Sequence, residues 1–469
     1  MIEHLKKLDD LLVNLSNGFY SDMSSDQQGT SLSAKSSASD YGTSDRWFVL
    51  LWLALDYFVL YLHRNVINFV QPPLKDELQI SDSQIGDLQM AFLLAYAFSQ
   101  LFVGYLGDRF HRRTVLLISL TASIFSLAGM GLAGSFSTLI VLRIVLGVAQ
   151  SASVPAIAGV MADCFTPRTR STAVGIYLVS QNIALIVAGW VGGEIADLPP
   201  WKLSVAWLGT GPILISGWRI AMIFFSIIGT FVVLGMYLFL REPARTERET
   251  GRGLGVEGAS IGNTTWNVIK VRAYLLLAIA FVLFCVITNA REMWLARYFY
   301  DVLGMKLGEA GRFATLYVQS STIAGLFVGG VWADNWARRM KAGRMLVQAI
   351  GFALLVPAFV ILGATTYTPL LIASMLAIGF GTGIYVTNLW ATTFDVVDPA
   401  ARSTATAFLN VASMLAAPTS RAIGYGLDNK WFGLGQIFSG LGLVALVTVA
   451  VLVLNVIVFV PRDYRGPLK

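Results

Sequence analysis

Apolar runs of about twenty residues alternate with short polar breaks along most of the chain, and a run of that length crosses a bilayer core as a helix. Twelve such runs are read, over 47–70, 84–107, 114–134, 137–162, 171–196, 218–240, 273–298, 310–333, 345–365, 369–394, 403–426 and 434–460. Residues 241–272 are polar and charged and separate the first six from the last six. The pattern predicts an all-α membrane protein of twelve transmembrane helices. Its parts are an N-terminal segment 1–46, a six-helix bundle 47–240, a cytoplasmic linker 241–272, a second six-helix bundle 273–460 and a tail 461–469. Residues 2–15 carry Ile2, Leu5, Leu8, Leu12 and Leu15 at helical spacing, which reads as a short amphipathic helix or as a disordered tail.

The two bundles carry the same motifs. Gly104, Asp108, Arg112 and Arg113 recur as Gly330, Asp334, Arg338 and Arg339, about 226 residues later. Asp163, Pro167, Arg170, Ser171 and Thr172 recur as Asp395, Pro399, Arg402, Ser403 and Thr404, about 232 residues later. A doubled six-span chain is the layout of an alternating-access carrier, with a site between two halves that rock against each other.

Composition agrees: 55% of residues are hydrophobic and 13% charged, against about 25% charged in soluble domains. The net charge of +6 could suggest nucleic acid, but position argues against it. Basic residues cluster in alternate loops, at Arg109, Arg112 and Arg113, Arg168 and Arg170, Arg241 to Arg252, and Arg338 to Arg344. That bias puts those loops and both termini in the cytoplasm, the chain lying in the inner (plasma) membrane. No secretory signal is predicted, since the first 45 residues are polar. Cys164 and Cys285 read as small apolar residues. No Walker loop, HExxH or nucleophile elbow is present, so neither an enzyme nor an ATP-driven pump is predicted, and no metal or cofactor is expected.

The candidate chemistry is anion binding. Arginine inside a span is costly and marks function by default. Tyr57, Tyr61, Arg64 and Asn68 follow at i, i+4, i+7 and i+11, one stripe of a helix face. A guanidinium fork suits a carboxylate or phosphate. Arg291 falls about 227 residues after Arg64, so a second guanidinium could face the first, unless Glu292 neutralises it. Gln181 and Asn388 could read substrate hydroxyls or serve as helix–helix bonds. Arg143 reads as a site residue or as an arginine snorkelling at the interface. Asp108, Arg109, Arg113, Asp334, Arg170 and Arg402 sit at cytoplasmic helix ends. Asp108 is expected to meet the start of span 11 and Asp334 the start of span 5, closing the cytoplasmic side.

The run Gly104, Asp108, Arg109, Arg112, Arg113 resembles the signature of the major facilitator superfamily, with His111 where that family usually has Gly. The resemblance covers about residues 47–460 and implies two pseudo-symmetric six-helix bundles. Arg64, Asn65, Pro72, Phe92, Tyr96, Gln100 and Gly104, with Arg143, Gly147 and Pro155, resemble the anion:cation symporters, which include sugar-acid carriers and vesicular glutamate transporters. That implies a monomeric carrier of a small carboxylate anion, with H+ or Na+ as candidate coupling ions and lipid as its surroundings. Those symporters usually carry acids where this chain has His63 and Gln150. His63, Asp56 and Glu292 are the remaining coupling candidates, and uniport or exchange fits equally. Organophosphate exchangers and spinster-type lysolipid carriers share part of the pattern, and a non-transporting sensor is the rival from another class.

Overall fold

The computed structural model describes residues 43–107, 111–203, 213–240 and 268–465. The expected N-terminal amphipathic helix and most of the linker lie outside them. Twelve helical rods follow one another among the described residues and are numbered here as spans 1 to 12. Spans 1 to 6 are Thr43–Asn65, Asp82–Gly107, Arg112–Leu132, Phe136–Ser151 continued by Ser153–Cys164, Pro167–Ala196 and Gly217–Phe239. Spans 7 to 12 are Arg272–Leu303, Leu307–Ala337, Gly343–Ala364, Thr368–Val396, Arg402–Ala412 continued by Pro418–Asp428, and Leu434–Asp463. Among the described residues ten of the twelve are long and apolar enough to cross a membrane. Spans 2 and 11 pack on each other across the halves and turn Asp82, Ser83, Asp87, Ser420 and Arg421 toward protein. Span 11 is broken at Ser413–Ala416, one turn before Pro418, which has no N–H to continue the ladder.

Two features show that the repeat in sequence is a repeat in space. Arg112 at the start of span 3 pairs with Asp163 at the end of span 4. Arg344 at the start of span 9 pairs with Asp395 at the end of span 10, at 3.0 Å. The recurring Asp163/Asp395 motif is thus half of an ion pair that each half makes within itself.

The halves meet where helices cross at small residues. Gly189 of span 5 lies against Gly311 of span 8, and Gly86 of span 2 against the backbone at Ser420 of span 11. A second pair of contacts sets Gly193 against Leu307 and Gly308, and Gly424 against Asp82 and Ser83. Lipid supplies no hydrophobic force between helices, so close approach at small residues is what holds such crossings. All four contacts lie toward the end of the bundle opposite the basic loops. At that end a short antiparallel strand pair, Trp201–Leu203 on Ile213–Ile215, precedes span 6, with Trp201 exposed. The helix Gln71–Leu78 also lies there, held to span 6 because Glu77 accepts from Trp218 Nε1 at 2.7 Å and Arg219 Nε at 2.8 Å.

A Cβ at Gly189 would stand 2.7 Å from the Gly311 carbonyl oxygen. Gly189→Val is therefore expected to force the two backbones apart and cost about 1–3 kcal/mol, read as a lower Tm of the detergent-solubilised protein. An unchanged melting curve would contradict this packing.

Candidate functional site

Span 1 carries two unlike faces, and the structure separates the residues that the sequence placed on one helix. Tyr57, Tyr61 and Arg64 turn toward spans 2, 4 and 5. The Arg64 guanidinium carbon lies 4.7 Å from the Tyr61 ring centroid, 5.0 Å from Phe92 and 4.7 Å from Tyr96. Its Nε donates to Gln150 Oε1 at 3.3 Å, and Gln150 is fixed in turn because its Nε2 donates to the Leu60 carbonyl at 3.1 Å. Tyr96 is a further hydrogen-bonding side chain beside the Arg64 guanidinium, and no described acid pairs with that guanidinium. Tyr57 donates to Gln181 Oε1 at 2.9 Å and stacks on Tyr177 at 3.9 Å. The sequence reading missed Tyr177, although its place one turn before Gln181 on span 5 would have paired them.

Arg143 is not a snorkelling arginine. It is wholly buried and spends its donors on the Leu88 carbonyl (3.3 Å), the Arg64 carbonyl (3.0 Å) and Gln89 Oε1 (2.8 Å). Its guanidinium lies 5.1 Å from the centroid of the Phe92 ring that Arg64 also contacts. Two cations thus share one aromatic ring, and among the described residues neither has a carboxylate. In a site of low dielectric such an unbalanced charge is felt strongly.

Asn68 leaves the stripe. Span 1 ends at Asn65 and continues as a tighter 3-10 turn, Val66–Phe69. Three residues per turn in place of 3.6 swing Asn68 away, to a bond with Asn65 Oδ1 at 3.3 Å and a small recess shared with Gln71, Gln89 and Arg143. Asp56 and His63 lie buried on the other face, inside the first half. His63 Nε2 lies 3.1 Å from the Phe225 carbonyl oxygen, and among the described residues neither oxygen of Asp56 has a partner.

In the second half Arg291 binds Glu292 Oε1 at 3.0 Å, so of the two readings of this arginine the neutralised one describes this conformation. Arg291 keeps Nη1 buried without a partner beside a recess lined by Thr315 and Gln319, which the sequence did not single out. Glu292 is about a quarter exposed and within electrostatic reach of Tyr61. Asn388 is buried and spent on the carbonyls of Gly329 (3.1 Å) and Ile384 (2.9 Å), a bond between spans 10 and 8.

Between residues 53 and 420 the chain matches the family model of the Major Facilitator Superfamily. The chain belongs to that superfamily. It is therefore a multi-pass membrane transporter. Among curated relatives it is similar to a probable sulfoacetate transporter of Cupriavidus necator, at 26% identity over 69% of this chain and 73% of the relative. It is similar to the hexuronate transporter of Bacillus subtilis at 24%, over 76% and 82%, and to the galacturonate transporter of Dickeya chrysanthemi at 24%, over 66% and 89%. Among solved structures it shares the fold of a bacterial homologue of the human lysosomal transporter Spinster in an inward-facing, unoccupied conformation. The TM-score there is 0.73 at 20% identity, covering 91% of this chain and 100% of that one.

Of the six residues expected to gate this transporter, Asp108 and Arg109 lie outside the described residues. The expectation that Asp334 reaches span 5 is corrected: it binds Arg344 of its own half at 3.1 Å. The reason is that the halves of this conformation are fastened at the other end. Among the bonds to described residues, Arg113, Arg170 and Arg402 donate to the carbonyls of Tyr237, Phe165 and Phe394 of their own halves. The links that the described residues make across the halves lie opposite the basic loops, among them Asp82–Arg297 at 2.5 Å and Asp87–Arg421 at 2.7 Å.

The two arginines beside Phe92 should separate cleanly. Arg143→Met strands three acceptors, at about 1–3 kcal/mol for each buried group left unpaired, and is expected to lower Tm steeply. Arg64→Lys is expected to keep Tm and to lose the rise in Tm that a bound anion gives. Equal effects of the two on both readouts would remove the distinction between a structural and a ligand-facing guanidinium.

Proposed function

We propose that this transporter moves a small organic anion, a carboxylate of the sugar-acid type, by alternating access between its two halves. The observation that carries this is the Arg64 guanidinium, held by Gln150, caged by three aromatic rings and matched by no acid among the described residues. A carboxylate can take the two terminal N–H groups in parallel, and only an anion restores charge balance there. Gln181, fixed by Tyr57, offers an amide to the body of the cargo. The relatives' names support the same class: hexuronate, galacturonate and sulfoacetate differ in their bodies and share an anionic head.

The excess of Lys and Arg in alternate loops supports an orientation with the basic end, and so both termini, in the cytoplasm. The fastened end is then external, and the chain stands in a conformation closed to the outside. Of the three coupling candidates, Glu292 has the position for it. It is partly exposed, near Tyr61, and it neutralises Arg291, so a proton arriving there releases a second guanidinium to the cargo. Asp56 and His63 face away from Arg64.

Proteoliposome uptake of glucuronate and galacturonate tests the reading. Saturable uptake of the acids is expected, with the neutral parent sugars not carried. Arg64→Lys should cut kcat/KM about 30-fold, the equivalent of about 2 kcal/mol for a lost charge-assisted bond. Glu292→Gln should remove the stimulation of uptake by an inward proton gradient and leave acid-for-acid exchange. A protein that binds these acids without moving them is a sensor, and one that moves the neutral sugars equally has no anion site at Arg64.

A further inference from the structure

We propose that Asp197 and Asp428 are a two-fold pair of latches that hold the outer end of the transporter shut, each by capping the first turn of a helix in the opposite half. Asp428 is the last residue of span 11. Its Oδ1 accepts from the Asp82 backbone N–H at 2.9 Å and its Oδ2 from the Ser83 backbone N–H at 2.8 Å, with the Ser83 hydroxyl as a further donor. Asp197 follows the last residue of span 5, and its Oδ2 accepts from the Gly308 backbone N–H at 3.0 Å. Asp82 and Ser83 open span 2, and Gly308 is the second residue of span 8.

The first N–H groups of a helix have no partner inside it, and they form the positive end of its dipole. A helix normally meets this need with a side chain just before its start. Span 8 does not: Lys306 stands at that place and its side chain caps nothing. The cap comes from the other half.

The two caps are one device used twice. Asp428 follows Asp197 by about 231 residues, and Gly308 follows Ser83 by about 225, the spacing of the internal repeat. Spans 5 and 11 supply the carboxylates, and spans 2 and 8 the helix starts; at span 2 Ser81 also caps the Gln84 N–H, so Asp428 adds to a local cap there while Asp197 stands in for a missing one at span 8. Beside each cap a glycine lets the backbones touch, Gly193 against Gly308 and Gly424 against Ser83. The copies are unequal. Asp428 holds three donors and is flanked by the cross-half pairs Asp82–Arg297 and Asp87–Arg421, while Asp197 holds one donor. When the outer end opens, both carboxylates and both helix ends pass to water, so each latch is a modest and reversible bias toward the outside-closed state.

The inference rests on the alternating-access reading, and its test is a distance that needs no cargo. Spin labels are placed at Asp76→Cys and Lys306→Cys, on exposed sites of opposite halves, with Cys164→Ala and Cys285→Ala. Distances are measured in lipid nanodiscs for the parent, Asp197→Asn, Asp428→Asn and the double variant. A cap of ordinary strength is about five-fold in a two-state ratio, so each variant should raise the ratio of outside-open to outside-closed molecules about five-fold and the double variant about 25-fold. Asp428→Glu, which keeps the charge, should stay near the parent. Variants whose Tm falls while the distance distribution matches the parent would overturn the latch and leave a purely structural cap. A variant too unstable to label is replaced by Ser83→Ala, which removes one donor and must shift the distribution in the same direction. Loss of sugar-acid flux with these shifts intact would refute the cargo and leave the latch standing.

Discussion

An arginine side chain inside a membrane span must be accounted for by something, and at Arg64 the protein supplies only part of the account. Rings of Tyr61, Phe92 and Tyr96 surround the guanidinium, and Gln150 takes one N–H. Rings and an amide lower the cost of holding the charge without cancelling it. Arg143 sharpens the imbalance, since it adds a second cation across Phe92 and has no acid either. Its own bonds explain why it is tolerated. It ties the end of span 1 to span 2 through the Arg64 and Leu88 carbonyls, so that the Arg64 backbone is positioned by the neighbour that raises the local potential.

The second constraint is that two six-span halves must adhere firmly at one end and still part. Extended hydrophobic packing would hold them but would leave no second state of similar energy. The crossing uses instead backbone contact at glycines and hydrogen bonds at helix ends. Such contacts are specific in geometry and modest in energy, which suits an equilibrium moved by a ligand whose differential affinity is only a few kcal/mol.

Much of this was legible in the sequence because it is periodic. Span positions follow from runs of apolar residues, and the pseudo-symmetry from motifs at one offset. The Asp163/Asp395 repeat proves to mark ion pairs with Arg112 and Arg344. Within span 1, helical spacing placed Tyr57, Tyr61 and Arg64 together correctly, and failed at Asn68 because the helix tightens after Asn65. What escaped were relations between distant segments. Gln150 holding Arg64, Asn388 spent between two spans, and Asp428 seated on Ser83 depend on how helices lie side by side, which no local pattern encodes. The Asp197/Asp428 recurrence was nevertheless present at the repeat offset. Single acids in polar loops carry little signal without their partners.

The identity of the residue at position 150 bears on energetics as well as geometry. A carboxylate there would pair with Arg64 and cancel its charge until a proton displaced it, which would tie the proposed anion binding to protonation at one place. Gln150 gives the same hydrogen bond without that competition, so on the proposed reading Arg64 would take an anion at any pH in the working range. If transport is driven by protons, the titrating group must then act elsewhere. The ion pair in reach is Arg291 with Glu292, in the other half of the molecule. Anion recognition and proton recognition would thereby fall on opposite sides of the interface. A loaded first half and a protonated second half would each favour closing upon the other, which is the condition for coupling two ligands through one conformational change.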